Sequence, residues 1–253
     1  MDSIYDLESR NILITGASSG IGRQCAITCP KMGARLILIG LEKDKLSATI
    51  DMLDGSGHIC YDQDITEYDR LEPLIKESVD KVGPVSGFIH SAGIEMSRPL
   101  KILKAENYEK VIGVNAIAGF EIIRILSKIK YLAPEGASYI LISSVMGVLG
   151  DIGNIAYCSS KGALISAGKA MALELAPKKI RVNCVLPGVI QTEMAMALFN
   201  TISDESKNSI LKMHPLGLGK PEDVANACVF LLSSASRWIT GTNFLVDGGY
   251  SAH

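Results

Sequence analysis

Histidine and aromatic residues are scarce: four histidines, one tryptophan and 6% Phe, Trp and Tyr in 253 residues. The six cysteines (25, 29, 60, 158, 184 and 228) form no Cys-x-x-Cys pair and have no histidine at metal-ligand spacing. No metal site is expected, and the cysteines read as buried, reduced thiols, which suits a cytoplasmic location. Charge of one sign is also missing, since 25 Lys and Arg face 27 Asp and Glu for a net charge of -2. Without a basic or acidic run the chain carries no footprint for nucleic acid or a membrane surface, which leaves a small molecule as the expected partner. No apolar run approaches the ~18 residues a spanning helix needs. The start, Met1-Asp2-Ser3-Ile4-Tyr5-Asp6, has neither a basic nor an apolar export region, so no export is expected. Internal repeats, linkers and low-complexity tracts are missing as well, and residues 1–253 are expected to form one domain.

What is present is a hydrophobic fraction of 47% and 24 glycines, enough for a large core with many tight turns. Short apolar runs alternate with amphipathic stretches. Asn11–Thr15, Arg35–Ile39, His58–Tyr61, Val85–His90, Tyr139–Ser144, Ile180–Leu186 and Asn243–Asp247 read as strands. Both faces of Arg35–Ile39 are apolar, as a buried parallel sheet requires. Helices are expected up to about Met32, with Pro30 ending or kinking the first and Gly33 capping it, and then over about 44–53, 71–82, 106–129, 156–176 and 221–232. The fold class is therefore α/β: a doubly wound parallel sheet of about seven strands with helices on both faces, binding ligand beyond the strands' carboxyl ends. The stretch 106–129 is apolar on more than one side, so one face would cover the sheet and another a second subunit, making a dimer or tetramer. Residues 191–213, with Met194, Met196, Leu198, Phe199 and Ile202 among polar residues, suit a lid over an apolar ligand, or plain core packing.

Two stretches carry chemistry. Gly16-Ala17-Ser18-Ser19-Gly20-Ile21-Gly22 joins a strand to a helix. Gly16 permits the turn, Gly20 lets backbone approach a diphosphate, and Gly22 lets the helix lie close to the strand with its N-terminus aimed at negative charge. The second is Tyr157-Cys158-Ser159-Ser160-Lys161. A spacing of four puts the phenol and ammonium on one helix face, and a cation beside a phenol favours the phenolate, lowering a pKa that is ordinarily near ~10. Tyrosine and lysine at this spacing are common, so the pair gains meaning only from the rest of the chain.

In this order the motifs resemble those of the short-chain dehydrogenase/reductase family over essentially the whole length. The glycine motif is similar to Thr15 to Gly22, with Gly16, Ser18, Ser19, Gly20, Ile21 and Gly22 implied as nucleotide contacts. The adenine-contacting acid falls on Asp64, followed by Ile65, and the nicotinamide-side segments resemble Ser91-Ala92-Gly93 and Pro187-Gly188-Val189-Ile190-Gln191-Thr192. The resemblance implies a catalytic tetrad of Asn115, Ser144, Tyr157 and Lys161. In it Tyr157 exchanges a proton with a carbonyl or hydroxyl, Lys161 lowers the tyrosine pKa and holds the nicotinamide ribose, Ser144 bonds the substrate oxygen, and Asn115 keeps a water behind Lys161. Ser143 takes the serine's role if the register is shifted by one. Ser91 departs from the family's asparagine, which shortens or removes a contact supporting the sheet.

The cofactor implied is NADP or NAD. Where the family places an acid for NAD, or an arginine just after it for NADP, this chain has Gly40 and Leu41. Gly40 leaves room for a phosphate that Lys43 or Lys45 would reach, which tips the choice slightly to NADP. Ile94, Met96, Val145, Met146, Val148, Leu149, Met194 and Phe199 suggest an apolar or adaptable pocket, which Glu95, Arg98 and Asp151 would modify. The resemblance thus implies hydride transfer between the nicotinamide and a carbonyl or secondary alcohol. A 3-oxoacyl-[acyl-carrier-protein] reductase is the specific alternative, weakened by Leu173 where such reductases tend to have arginine; sugar, steroid and secondary-alcohol dehydrogenases remain open. A nucleotide-binding sensor or structural subunit is the reading from another class, and it would be expected to lose Tyr157 or Lys161.

Overall fold

The computed structural model describes residues 4–199 and 202–252, without the side chain of Leu198. Residues 1–3, on which part of the N-terminal reading falls, and 200–201 within the 191–213 segment lie outside it. The strands are β1 (Asn11–Thr15), β2 (Arg35–Gly40), β3 (Ile59–Asp62), β4 (Gly87–His90), β5 (Ala137–Ile142), β6 (Ile180–Pro187) and β7 (Asn243–Val246). The helices are α1 (Gly20–Thr28), α2 (Lys43–Ile50), α3 (Tyr68–Val82), α4 (Ala105–Ile112), α5 (Ala118–Leu126), α6 (Ile155–Leu175), α7 (Glu193–Phe199), α8 (Asp204–Lys212) and α9 (Pro221–Leu232).

All seven strands run parallel in one sheet of order β3-β2-β1-β4-β5-β6-β7. Every residue of β4 and β5 is buried, which is why these runs are apolar without alternation. The pleat still sorts side chains: Leu13, Phe88, Tyr139 and Val182 join a core with α3, α5 and α6, while Ile12, Ile14, Ile89 and Ile140 join another with α1 and α9. The order reverses at β1, whose neighbours are β2 and β4, and ligands in such sheets bind in the crevice opened there at the carboxyl ends.

Two local features differ from a plain reading of periodicity. Helix α1 stops at Thr28, and a single tight turn at Pro30–Met32 ends on Gly33 at φ 90°, so proline and glycine close the element as expected. The long stretch 106–129 is helical as far as Leu126 but not of one regular geometry. Between α4 and α5 the five residues Gly113–Ile117 form a wide turn in which the Ala118 N–H bonds the Gly113 carbonyl, five residues back. Such wide turns are rare and cluster at functional sites. Cys25, Cys29, Cys184 and Cys228 are buried, but Cys60 is exposed on the edge strand β3 and Cys158 is half-buried, because they sit on outward-facing positions. Among the described residues no helix is long and apolar enough to cross a membrane.

Candidate active site

The loops beyond Thr15, His90, Ile142 and Pro187 meet over the middle of the sheet. Gly16 adopts φ 69°, and a β-carbon there would lie 2.7 Å from the Ala92 nitrogen, so the first turn is pressed against Ser91-Ala92-Gly93. A β-carbon on Gly22 would lie 2.3 Å from the Gly16 carbonyl oxygen, which fixes how closely α1 docks on its own turn. Ser19 caps α1 in an extended conformation without a side-chain bond to the first helical N–H groups. Donors left free at a helix N-terminus, behind a turn with no room for side chains, fit the diphosphate of a dinucleotide. Ser18 is buried, with its carbonyl held by the Arg23 guanidinium. The Thr192 methyl group would lie 3.2 Å from a β-carbon on Gly20, so the loop after β6 closes over the same turn.

Farther along the sheet, a β-carbon on Gly40 would lie 3.3 Å from the Ser18 hydroxyl, so the room expected there is bounded by Ser18. Leu41 points outward at 69% exposure and brings no charge. Lys45 is paired with Glu42 at 2.9 Å and Glu193 at 3.4 Å. Asp64 accepts from the Thr66 N–H at 2.8 Å and the Thr66 hydroxyl at 2.7 Å, which orients its carboxylate, and Ile65 is buried beside it. On the other side of the site, Gly188 has no room for a β-carbon, which would lie 3.0 Å from the Asp247 backbone, and Ile190 is buried.

The tetrad residues converge. Ser144 lies past the end of β5, where its oxygen accepts from the Met146 N–H at 3.1 Å and its hydroxyl favours ionisation of the Tyr157 phenol beside it. Ser143 is buried and donates to the Lys161 carbonyl at 2.8 Å, so Ser144 is the hydroxyl beside the tyrosine. Lys161 is buried with its Nζ 5.5 Å from the centre of the Tyr157 ring, and it donates to the Ile142 carbonyl at 2.8 Å. A β-carbon on Gly93 would lie 3.4 Å from Asn115 Oδ1 and 3.6 Å from Lys161 Nζ, which places residue 93 against both groups.

Asn115 sits in the wide turn and is fully buried. Its amide donates to the Ile94 carbonyl at 2.9 Å and to Ser160 Oγ at 2.9 Å, and its oxygen accepts from the Ile94 N–H at 2.8 Å. The side chain is thus committed to protein partners that hold the loop after Gly93.

The electrostatics run against one expectation. Burial, helped by the nearby Glu95 carboxylate, pushes the Tyr157 phenol up to about 12, and the Ser144 hydrogen bond draws it back. Lys161 is itself pushed down to about 8 by burial. The depression expected from the lysine does not appear: burial governs the phenol, and the ammonium is directed at Ile142. Glu95 is raised by burial and by Asp151.

One residue of this site was not singled out by sequence reasoning. His90 ends β4 at 1% exposure, with Nδ1 2.9 Å from Thr15 Oγ1 and Nε2 3.1 Å from the Asn115 carbonyl. The Ala92 N–H reaches the same Thr15 hydroxyl at 3.3 Å. Residue 90, and not Ser91, supplies the side chain that ties this turn to β1. An imidazole closing an apolar strand just before Ser-Ala-Gly was the available signal. Of the expected pocket residues, Val145 and Phe199 are buried, while Val148, Leu149 and Met194 are exposed near the mouth.

A parallel sheet with this crevice, turn and tetrad defines a dinucleotide-dependent oxidoreductase fold, and the comparisons agree. A family model described as Enoyl-(Acyl carrier protein) reductase matches residues 16–251. The chain is 33% identical over 247 residues to the 3-oxoacyl-[acyl-carrier-protein] reductase FabG of Thermotoga maritima, covering 96% of this chain and 98% of that protein. It is 30% identical over 253 residues to the NAD-dependent glycerol dehydrogenase of Listeria innocua, covering 99% and 97%. The crystal structure of a short-chain type dehydrogenase/reductase from Mycobacterium marinum superposes with a TM-score of 0.91 at 28% identity, covering 99% and 98%. The chain belongs to the short-chain dehydrogenase/reductase family. It is an NAD(P)-dependent oxidoreductase acting on carbonyls or CH–OH groups.

Proposed function

We propose that the protein interconverts a small ketone and a secondary alcohol, with Tyr157 as the proton donor and acceptor. The observation that carries this reading is the convergence of Ser144, Tyr157, Lys161 and Asn115 at the carboxyl edge of the sheet, with the Ser144 hydroxyl beside the phenol and Lys161 Nζ 5.5 Å from its ring. Bound NAD(P)H supplies the hydride. The chain's own groups do the remainder. Ser144 holds the substrate oxygen and stabilises the charge growing on it, and Tyr157 Oη gives that oxygen its proton. Lys161 holds the nicotinamide ribose and keeps positive charge behind the phenol as it ionises. Asn115 acts by fixing the Ile94 backbone and Ser160, and with them the loop and helix on either side of Lys161. Helices α7 and α8 form the lid.

Among nucleotides, NADP(H) is favoured. Gly40 and Leu41 offer no carboxylate to the adenosine ribose or against a 2′-phosphate, and Lys43 and Lys45 stand on the first turn of α2. Titration with both nucleotides tests this; tighter NADH binding overturns it.

For the substrate, the mouth combines apolar Val148, Leu149 and Met194 with Glu95 and Asp151, which favours small uncharged carbonyls over anionic ones. The likeness to the Thermotoga maritima reductase supports a second reading, reduction of a 3-oxoacyl thioester on acyl carrier protein. Leu173, 79% exposed on α6, offers an acidic partner no charge where a docking arginine is expected. A panel of ethyl acetoacetate, acetoacetyl-coenzyme A, dihydroxyacetone and steroid ketones, followed by nicotinamide absorbance, separates these. Turnover of none of them overturns the enzymatic reading in favour of a nucleotide-binding subunit. Exposed Ile117, Leu173, Trp238 and Leu245 support a homo-oligomer, dimer or tetramer, read by light scattering.

A further inference from the structure

The groups bonded to His90 fix its tautomer. The Asn115 carbonyl can only accept, so Nε2 carries the proton and donates to it at 3.1 Å. Nδ1 is then an acceptor, and the Thr15 hydroxyl donates to it at 2.9 Å while receiving the Ala92 N–H at 3.3 Å. Beyond Asn115 the chain of bonds continues, from its amide to Ser160 Oγ at 2.9 Å and from Ser160 Oγ to the Tyr157 carbonyl at 2.7 Å. A single line of hydrogen bonds therefore runs from the strand end that opens the glycine turn to the backbone of the proton donor.

His90 is its only member that reaches from β1 to the wide turn. That turn is where the helix passes to five-residue bonding, and the Nε2–H gives its Asn115 carbonyl a partner from outside the helix. The ring is closely packed: a β-carbon on Gly119, in α5, would lie 2.6 Å from His90 Cδ2, and Phe88 lies 6.1 Å away between ring centres.

We propose that His90 is a positioning residue of the hydride-transfer site, whose Nε2–H holds the Asn115 carbonyl and thereby sets the wide turn in register with both the nucleotide turn and the helix carrying Tyr157 and Lys161. This rests on the reading of Tyr157 given above. Burial and the nearby Lys161 ammonium push the imidazole down to about 4, which agrees with a ring that stays neutral and keeps one tautomer.

Two variants and a spectrum test it. His90→Phe keeps an aromatic ring and loses both bonds; His90→Gln keeps an N–H donor toward Asn115. With the ketone from the panel that wild type reduces fastest, His90→Phe should lower kcat about tenfold or more while the KM for nucleotide changes less than about twofold. His90→Gln should recover most of kcat. A residue that only filled space would show the reverse order, since phenylalanine is the better buried filler. Full kcat in His90→Phe, or no recovery in a folded His90→Gln, overturns the proposal. Should His90→Phe fail to fold, ¹⁵N imidazole spectra of wild type decide. A proton bound to His90 Nε2, persisting between about pH 6 and 8, supports the assignment, and a proton on Nδ1 or a ring that titrates there overturns it. Wild type inactive on every ketone would instead overturn the functional reading, with the spectrum still reporting on the tautomer.

Discussion

Asn115 and Ile94 are joined twice: the asparagine oxygen takes the Ile94 N–H at 2.8 Å and its amide gives to the Ile94 carbonyl at 2.9 Å. One side chain thus pins both backbone groups of a single residue in the loop that follows Gly93. Replacing it by alanine leaves those two part-buried groups unpaired and the buried Ser160 oxygen without its donor. Asn115→Ala should lower stability by about 3 kcal/mol, as several unsatisfied buried groups would. It should also lower kcat, because the loop and the helix lose their common anchor. Denaturant unfolding and steady-state kinetics read the two effects; a variant as stable and active as wild type contradicts the anchor.

Tyr157→Phe keeps the ring that stacks near Lys161 and removes the exchangeable proton. Turnover should fall by at least about a thousandfold, within the span that positioned acid–base groups contribute. Nucleotide affinity, followed by nicotinamide fluorescence, should change little. Retained turnover would mean that another group moves the proton.

Glu95 sets where the phenol ionises. Its negative charge raises the Tyr157 pKa, so Glu95→Gln removes an obstacle to the phenolate. Alcohol oxidation needs Tyr157 as a base, and its rate rises as the phenol ionises. The alkaline rise of the oxidation profile should therefore move to lower pH in Glu95→Gln. An unmoved or upward-shifted profile would show that Glu95 does not act on the phenol.

The imidazole of His90 gives stability a pH dependence of known sign. Its folded pKa, about 4, lies below the ordinary value of 6.5. Above 6.5 the ring is neutral in folded and unfolded chains, and its contribution is fully present. Between 6.5 and about 4 the unfolded chain takes up a proton that the folded chain refuses, so stability falls as the pH falls, by up to about 3 kcal/mol. His90→Gln should flatten this part of the profile in unfolding experiments run across that range. An equal slope in both proteins would assign the acid sensitivity to other groups.

Much of this architecture was legible because it rests on local rules. The glycines at 16, 20 and 22, the four-residue step from Tyr157 to Lys161 and the fully apolar strands each state their geometry through spacing or through residues with one use. The parallel, doubly wound sheet and the placing of Ser144 at a strand end facing the helix of Tyr157 followed once the motifs fell in family order. What stayed hidden depends on contacts between distant segments. Periodicity could not show the break at Gly113–Ile117, since residues on both sides are apolar at helical spacing. His90 was passed over as the last residue of a strand, because its meaning comes from Thr15 and Asn115, neither of them near it in the chain. The sign of the Tyr157 shift was missed for a related reason: pair spacing reports the lysine, whereas burial by the whole loop cluster decides the outcome.

The extra residue accommodated between α4 and α5 lets one length of chain serve two masters. Upstream of it α4 leans on α6, and downstream α5 leans on α3. A deletion of one residue there would restore an unbroken rod, but a rod has a single phase and can satisfy only one of these neighbours. Such a shortened protein would have to choose between keeping Asn115 at the reaction centre and keeping Ile122 and Ile125 in the interior.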